Sequence, residues 1–347
     1  MWRCAAETRV LFCEPPVFHH GYARLEVYRM ERGIERLVPK LSLDVDAGAA
    51  YRQLARYLDT FLVREGIERV ELWYDDVEAL QYTRHLLPHA SLTVYDVTQR
   101  PATPNALMLE RELLPRADLV FTGGESMYQA LRLQRRDVHA FPSAVDVPHF
   151  MTARIDLVEP ADQASLPRPR LGYWGPIDGR VDLELVKKLA ELCPEWQLVM
   201  LGPSADPASL PKRPNLHWLG AKTYDELPEY IAGWDVGILP VLINETTKFL
   251  TPAHPAGMLA AGRALVSTPL TDVVNPYEKV KLVRTARTAE GFMVAVKAAL
   301  AEERSMRQQR ADAFLSAMSW DTTWSRMRTL VEEARARRLT PPLLRAA

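Results

Sequence analysis

Cysteine, net charge and long apolar runs are all scarce in this chain of 347 residues. Only Cys4, Cys13 and Cys193 occur. An odd count, at spacings that match no metal motif, argues against a disulfide framework and fits a reducing compartment. Lys and Arg number 43 against 44 Asp and Glu. So balanced a chain has no global field to draw it to nucleic acid. No apolar run reaches the ~18 residues of a membrane span. "MWRCAAETRV" is too short and polar for a signal peptide. The expected location is therefore the cytoplasm. Walker loops, an intact G-x-G-x-x-G and a G-x-S-x-G elbow around Ser126 are absent, as are internal repeats.

What is present is ordinary for a globular protein: 48% hydrophobic and 25% charged residues. The length suits two domains. In the first half, "RVLFCEP", "RVELWYDD", "SLTVYDV" and "DLVFTGG" read as strands. "AAYRQLARYLDTFLVREG" alternates with them as an amphipathic helix, with Leu54, Leu58, Phe61 and Leu62 on one face and Gly66 as its stop. "VEALQYTRHLLP", "ALMLERELLPRA" and "ESMYQALRLQ" are further helices. "VEPADQASLPRPR" is polar, holds three prolines and reads as a linker. Alternation resumes with the strands "RLGYWGP", "WQLVMLGP", "NLHWLG", "DVGILPV", "ALVSTP" and "VKLVRT". "VDLELVKKLAELCP" and "AEGFMVAVKAALAEERSMRQQRADAFL" are helical.

Strands and helices alternating in two blocks predict an α/β protein with two Rossmann-like, doubly wound parallel sheets. The expected division is 1–158, a linker at 159–169, a second domain at 170–310 and a C-terminal helix at 311–335. Ligands in such folds bind beyond the carboxyl ends of the strands, and the interdomain cleft is the expected site.

Several stretches could carry chemistry. In "LGYWGPIDGR", Gly172 and Gly175 would let a ligand approach the backbone, and Arg180 stands at a helix entrance. The alternative is a mere tight turn. Gly202 and Pro203 end the next strand, as a plain turn or as a wall for a base. Gly220 ends another, and Thr223 with Glu226 has capping-box spacing. Lys222 would meet water rather than phosphate. "NETTKFLTPAHPAGMLAAG" holds Glu245, Lys248 and His254 beside a helix N-terminus, which favours an anion. His19-His20 reads as a surface loop, Ser126 as a cap, and Asp75-Asp76 as a cap or a cleft-facing pair. The C-terminal run "ARARRLTPPLLRAA" reads as a solvated tail, with peripheral contact to an anionic membrane as the alternative. No metal site is read.

Taken together, "RADLVFTGGESMYQA", "FPSAVDVPHF", "RLGYWGPIDGRVDLELV", "LPKRPNLHWLGAKTYDELPEYIAGWDVGILP" and "LAAGRALVSTPLTDVV" resemble bacterial GT-B glycosyltransferases, similar to the family-four-like retaining enzymes. The resemblance implies a nucleotide-diphosphate sugar as donor, held by the second domain without a metal or other cofactor. It implies a hexose passed to a polysaccharide, cell-envelope or lipid-linked acceptor. Gly175, Arg180, Lys248, Thr251 and His254 would then meet the donor diphosphate. Gly202, Pro203, Gly220 and Tyr224 would meet the nucleoside. No catalytic residue is assigned.

This chain departs from the pattern S-P-T-K-x-x-E-Y-L-A-A-G of such relatives. Thr251 and Pro252 keep its start, and Leu259 to Gly262 its end. His254 stands for the lysine and replaces its charge only when protonated. Gly257 stands for the glutamate that accepts hydrogen bonds from the donor ribose, a loss of roughly 1.5–3 kcal/mol. The family's first strand is also missing, and "MWRCAAET" resembles the end of its first helix. The reading taken is a true start upstream of Met1, with a truncated copy as the alternative. "YDVTQRPATPNA" also lacks the acidic residues usual there. The expected activity is sugar transfer; the competing expectation is a pseudoenzyme that binds or scaffolds.

Overall fold

A computed structural model describes residues 2–30, 33–101, 103–142, 145–155 and 157–339. Its contacts divide the chain into two units. Unit 1 comprises Met1–Phe121, Arg135–His139 and the residues from Arg326 onward; unit 2 comprises Thr122–Gln134 and Ala140–Ser325. The stretches 122–134 and 140–158, expected in the first domain, thus group with the second.

In unit 1, β1 (Val10–Cys13), β2 (Val17–His19), β3 (Arg24–Arg29) and β4 (Ile34–Ser42) form one sheet. β1 and β2 lie parallel to β4, and β3 lies antiparallel to it. The sequence reading assigned no element between Pro16 and Ser42. Charged residues interleave the apolar ones there, and no residue of β3 is buried. A second sheet has the order β5 (Glu71–Tyr74), β6 (Leu92–Val97), β7 (Leu119–Thr122), β8 (Val138–Ala140). The expected amphipathic helix spans Ala47–Arg64. Asp46 accepts from the Ala49 N–H at its start, and Ala50, Leu54, Leu58 and Phe61 are buried.

The described residues of unit 2 form a sheet of six strands: β9 (Arg170–Trp174), β10 (Gln197–Leu201), β11 (Leu216–Gly220), β12 (Val236–Leu239), β13 (Ala264–Ser267) and β14 (Arg284–Thr285). All neighbouring pairs are parallel. Their order is β11-β10-β9-β12-β13-β14. Counted within the unit this is 3-2-1-4-5-6, the order of a dinucleotide-binding sheet. Every residue of β10, β12 and β13 is buried. A parallel sheet covered on both faces requires such continuous apolar runs. Helix Leu183–Leu192, capped by Asp182, lays Leu185, Val186, Leu189 and Ala190 on the core.

Three expectations change. The stretch read as a linker carries a short helix, Ala161–Ala164, and its Gln163 is fully buried. Gln163 accepts from Trp234 Nε1 (2.7 Å) and donates to the Tyr230 carbonyl (3.0 Å). The long helix expected after Ala289 is two, Ala289–Ala301 and Arg304–Leu315, broken at Glu302, whose carboxylate receives Arg284 and Arg310. The basic C-terminal run is not all solvated. Within helix Trp320–Leu339, Arg335 pairs with Glu71 (2.6 Å) and Arg338 with Asp118 (2.8 Å). The rest of that run, 340–347, lies outside the described residues. No described helix is long and apolar enough to cross a membrane.

Candidate functional site

At the carboxyl ends of β9, β10 and β11 stand Gly175, Gly202 and Gly220, all with positive φ (131°, 151° and 75°). Only glycine adopts these conformations freely. The Gly175 N–H donates to the Leu201 carbonyl (2.9 Å), and the Gly202 N–H to the Gly220 carbonyl (2.8 Å). A Cβ on Gly202 would overlap the Gly175 carbonyl. The three predicted glycines are therefore laced into one rim. Gly172 has a different role from the one expected: a Cβ there would run into the Trp234 indole, so it serves packing, not ligand approach.

Helix His254–Ala260 borders the same rim. His254 Nε2 donates to the Trp174 carbonyl, which leaves Nδ1 buried without a partner. Its ring stacks on Trp174 (centroids 4.5 Å) and on Tyr173 (5.6 Å). Burial pushes its pKa down to about 4. His254 is neutral at neutral pH and does not supply the charge of the lysine it stands for.

The other predicted diphosphate groups are also engaged. Arg180 chelates Asp178 (Nη2 to Oδ2 2.7 Å), which holds that carboxyl below the usual range. Lys248 pairs with Glu245 and lies 5.1 Å from the Phe249 ring centroid. The Thr251 hydroxyl donates to Asp272. Asp272 is buried and also accepts the Ser126 N–H (2.7 Å) and hydroxyl (2.9 Å). Asp272 was not singled out from the sequence. It lies 21 residues beyond Thr251, and only the turn after β13 brings it back.

Among the residues expected to meet a nucleoside, Tyr224 stacks on His149 (4.2 Å, 12° between planes), and His149 Nε2 lies 3.0 Å from the Tyr224 carbonyl oxygen. Phe150 packs against both, and against Trp174 at 5.8 Å. A Cβ on Gly257 would sit only 3.1 Å from Trp174 Cη2 and 3.2 Å from Cζ2. The indole therefore covers the place from which a side chain at 257 would project. Nothing in the spacing of Trp174, His149 and Phe150 marked them. Their aromatic types within two of the motif stretches were the one available signal.

Minor readings resolve as follows. Glu226 accepts the Thr223 N–H (2.7 Å), one half of the capping box. Lys222 meets Asp162 (2.7 Å) and the Tyr230 ring (4.8 Å), not water alone. Asp76 caps the turn Val77–Ala79. His20 lies on Asp44 (3.2 Å) in an exposed loop. A cavity of about 870 Å³ opens elsewhere, between β14 and helix Ala289–Ala301, and no predicted site residue lines it.

No family model matches the chain. It is 26% identical over 184 residues to TuaH of Bacillus subtilis (strain 168), named as a teichuronic acid biosynthesis glycosyltransferase; the match covers 48% of this chain and 45% of TuaH. The chain thus spans under half the length of that relative. Solved structures match over nearly its full length. They include sucrose-phosphate synthase from Thermosynechococcus elongatus (TM-score 0.72, 14% identity, 96% of this chain and 91% of that one). HepE from Anabaena, solved with UDP, matches at TM-score 0.66 and 12% identity over 85% and 86%. With its 3-2-1-4-5-6 parallel sheet and its glycine rim at the strand ends, the chain has the GT-B fold of these glycosyltransferases.

Proposed function

We propose that this protein transfers a sugar, a hexose by its resemblance, from a nucleotide diphosphate to a polysaccharide, cell-envelope or lipid-linked acceptor, with retention and without a metal. The observation that carries this is the glycine rim of Gly175, Gly202 and Gly220, set at the strand ends beside helix His254–Ala260. The absence of side chains at part-exposed Gly175 and exposed Gly220 admits a phosphate closely, and Arg180 and Lys248 supply cations nearby in sequence. Leaving-group charge grows on the diphosphate as the glycosidic bond breaks, and preorganised cations lower that barrier. UDP bound to HepE makes UDP the first nucleotide to try. Calorimetric titration with UDP, GDP, dTDP and their sugar conjugates tests the reading. It expects one nucleotide to bind, and binding to fall at least about tenfold in Lys248→Ala. Absence of binding at millimolar nucleotide would sink it.

A second reading, a GT-B protein that binds or scaffolds without turnover, has its own support. Arg180, Lys248, Thr251 and His254 all hold intramolecular partners. It expects no product with any donor, and hydrolysis or transfer of a labelled sugar would refute it.

A further inference from the structure

The turn after β9 holds a carboxylate and a cation two residues apart. Asp178 Oδ1 accepts the Arg180 backbone N–H (3.0 Å) and Nε (3.0 Å), and Oδ2 accepts Nε (3.1 Å) and Nη2 (2.7 Å). Asp178 thus fills the Nε–Nη2 edge of the guanidinium. Nη1 makes no hydrogen bond among the described residues, and the Arg180 side chain is 43% exposed. The stem is fixed as well. The Arg180 carbonyl accepts the Leu242 N–H (2.8 Å), and Val181 bridges to Val241. On the other side of the turn, the Ile177 N–H donates to the Pro203 carbonyl (2.9 Å), which ties the segment to the glycine rim. The guanidinium is within electrostatic range of the Tyr173 hydroxyl. That hydroxyl donates to the Pro176 carbonyl (3.0 Å) and would lie 3.1 Å from a Cβ on Gly175. Arg180 is therefore held at head and stem beside the Gly175 turn, with one donor edge left over.

We propose that Asp178 is a positioning residue for the donor phosphate: it holds Arg180 by one edge and so presents the Nη1–Nη2 edge to the ligand. This rests on the donor reading above. The Nη1–Nη2 edge can meet two oxygens of a phosphate bidentately. An arginine already held loses less rotamer freedom when the phosphate arrives, and the difference appears as affinity. A carboxylate that merely competed for Arg180 would act in the opposite sense, and its removal would tighten binding.

The test is calorimetric titration of the full chain and its Asp178 variants with UDP, GDP and dTDP. For the nucleotide that binds, Asp178→Ala should weaken affinity about fivefold or more. Asp178→Asn keeps an acceptor for the Arg180 N–H and should lose less. In an Arg180→Ala background, Asp178→Ala should change the Kd by no more than about twofold, since no guanidinium is left to position. A general loss of structure would weaken binding in both backgrounds, so the cycle separates the two causes. Unchanged or tighter binding by the Asp178 variants, or a loss that persists undiminished without Arg180, overturns the proposal and leaves the donor reading standing. Binding of no nucleotide at millimolar concentration overturns both. Urea unfolding checks the fold of each variant, and if Asp178→Ala does not fold, Asp178→Asn takes its place in the same cycle.

Discussion

His254 shows what burial does to a residue that looked like a cation. Its folded pKa of about 4 lies below the free value of 6.5. Between these values the unfolded chain binds a proton that the folded chain refuses. Stability from this group is therefore full above pH 6.5 and lost as pH falls toward 4. Between pH 7 and pH 5 the wild type should lose about 2 kcal/mol more than His254→Gln, which keeps a donor for the Trp174 carbonyl. Urea unfolding of both proteins at the two pH values measures it, and equal losses would refute the assignment. Gly257 is the matching case in packing. Gly257→Glu should cost about 1–3 kcal/mol through contact with Trp174. In a double-mutant cycle with Trp174→Ala that cost should shrink. Strict additivity would mean that the indole is not what fills the site.

At the scale of elements, Asp272 ties three segments of unit 2 together: its own turn, the loop of Thr251 and the start of helix Glu125–Leu131. A Cβ on Gly124 would overlap both Asp272 and Thr251, so the approach is as close as backbone allows. Asp272→Ala would leave the Ser126 N–H and two hydroxyls without their acceptor. The expected destabilisation is about 3 kcal/mol, with Asp272→Asn roughly half of that. Chemical denaturation reads both, and a neutral Asp272→Ala would show the network to be dispensable. Helix ends in this unit are closed by arginines in a similar way. Arg263 donates to the Ala232 carbonyl (2.6 Å) at the end of helix Leu227–Ala232, and Arg154 to the Ala260 carbonyl (2.6 Å). Carbonyls at a helix C-terminus favour a cation, which accounts for a buried Arg263 that makes no salt bridge among the described residues. Its guanidinium is nonetheless pushed down to about 10 by burial and by Arg304 and Arg168.

For the whole molecule, the two units differ in how their cores are built. Unit 2 has one six-stranded sheet and one continuous core, whereas unit 1 divides its strands between two four-stranded sheets. The C-terminal helix serves unit 1 from Arg326 on, with Val331 and Ala334 buried and Arg335 and Arg338 paired to Glu71 and Asp118. The ion pairs are part exposed and add little, so buried apolar area is the larger contribution. Calorimetry should show two transitions, the lower belonging to unit 1. A chain ending at Ser325 should lower that transition by several degrees and leave the upper one within about 2 °C. A single transition, or loss of the upper one, would contradict this division.

Periodicity alone determined most of unit 2. Its strands are continuous apolar runs and its main helices repeat at 3.6 residues, because a doubly covered parallel sheet demands both. The glycine rim was legible for the same local reason, since positive φ selects glycine wherever it falls. Tertiary structure decided the rest. The hairpin of β3 and β4 is half exposed and was hidden by its charges. Gly172 and Gly257 were glycines for Trp234 and Trp174, partners 62 and 83 residues away in sequence. His254 took its protonation state from the rings around it, and Asp272 reached Thr251 only through a turn. Side-chain contacts, burial and charge state depend on which distant segments meet, and no local pattern encodes that meeting.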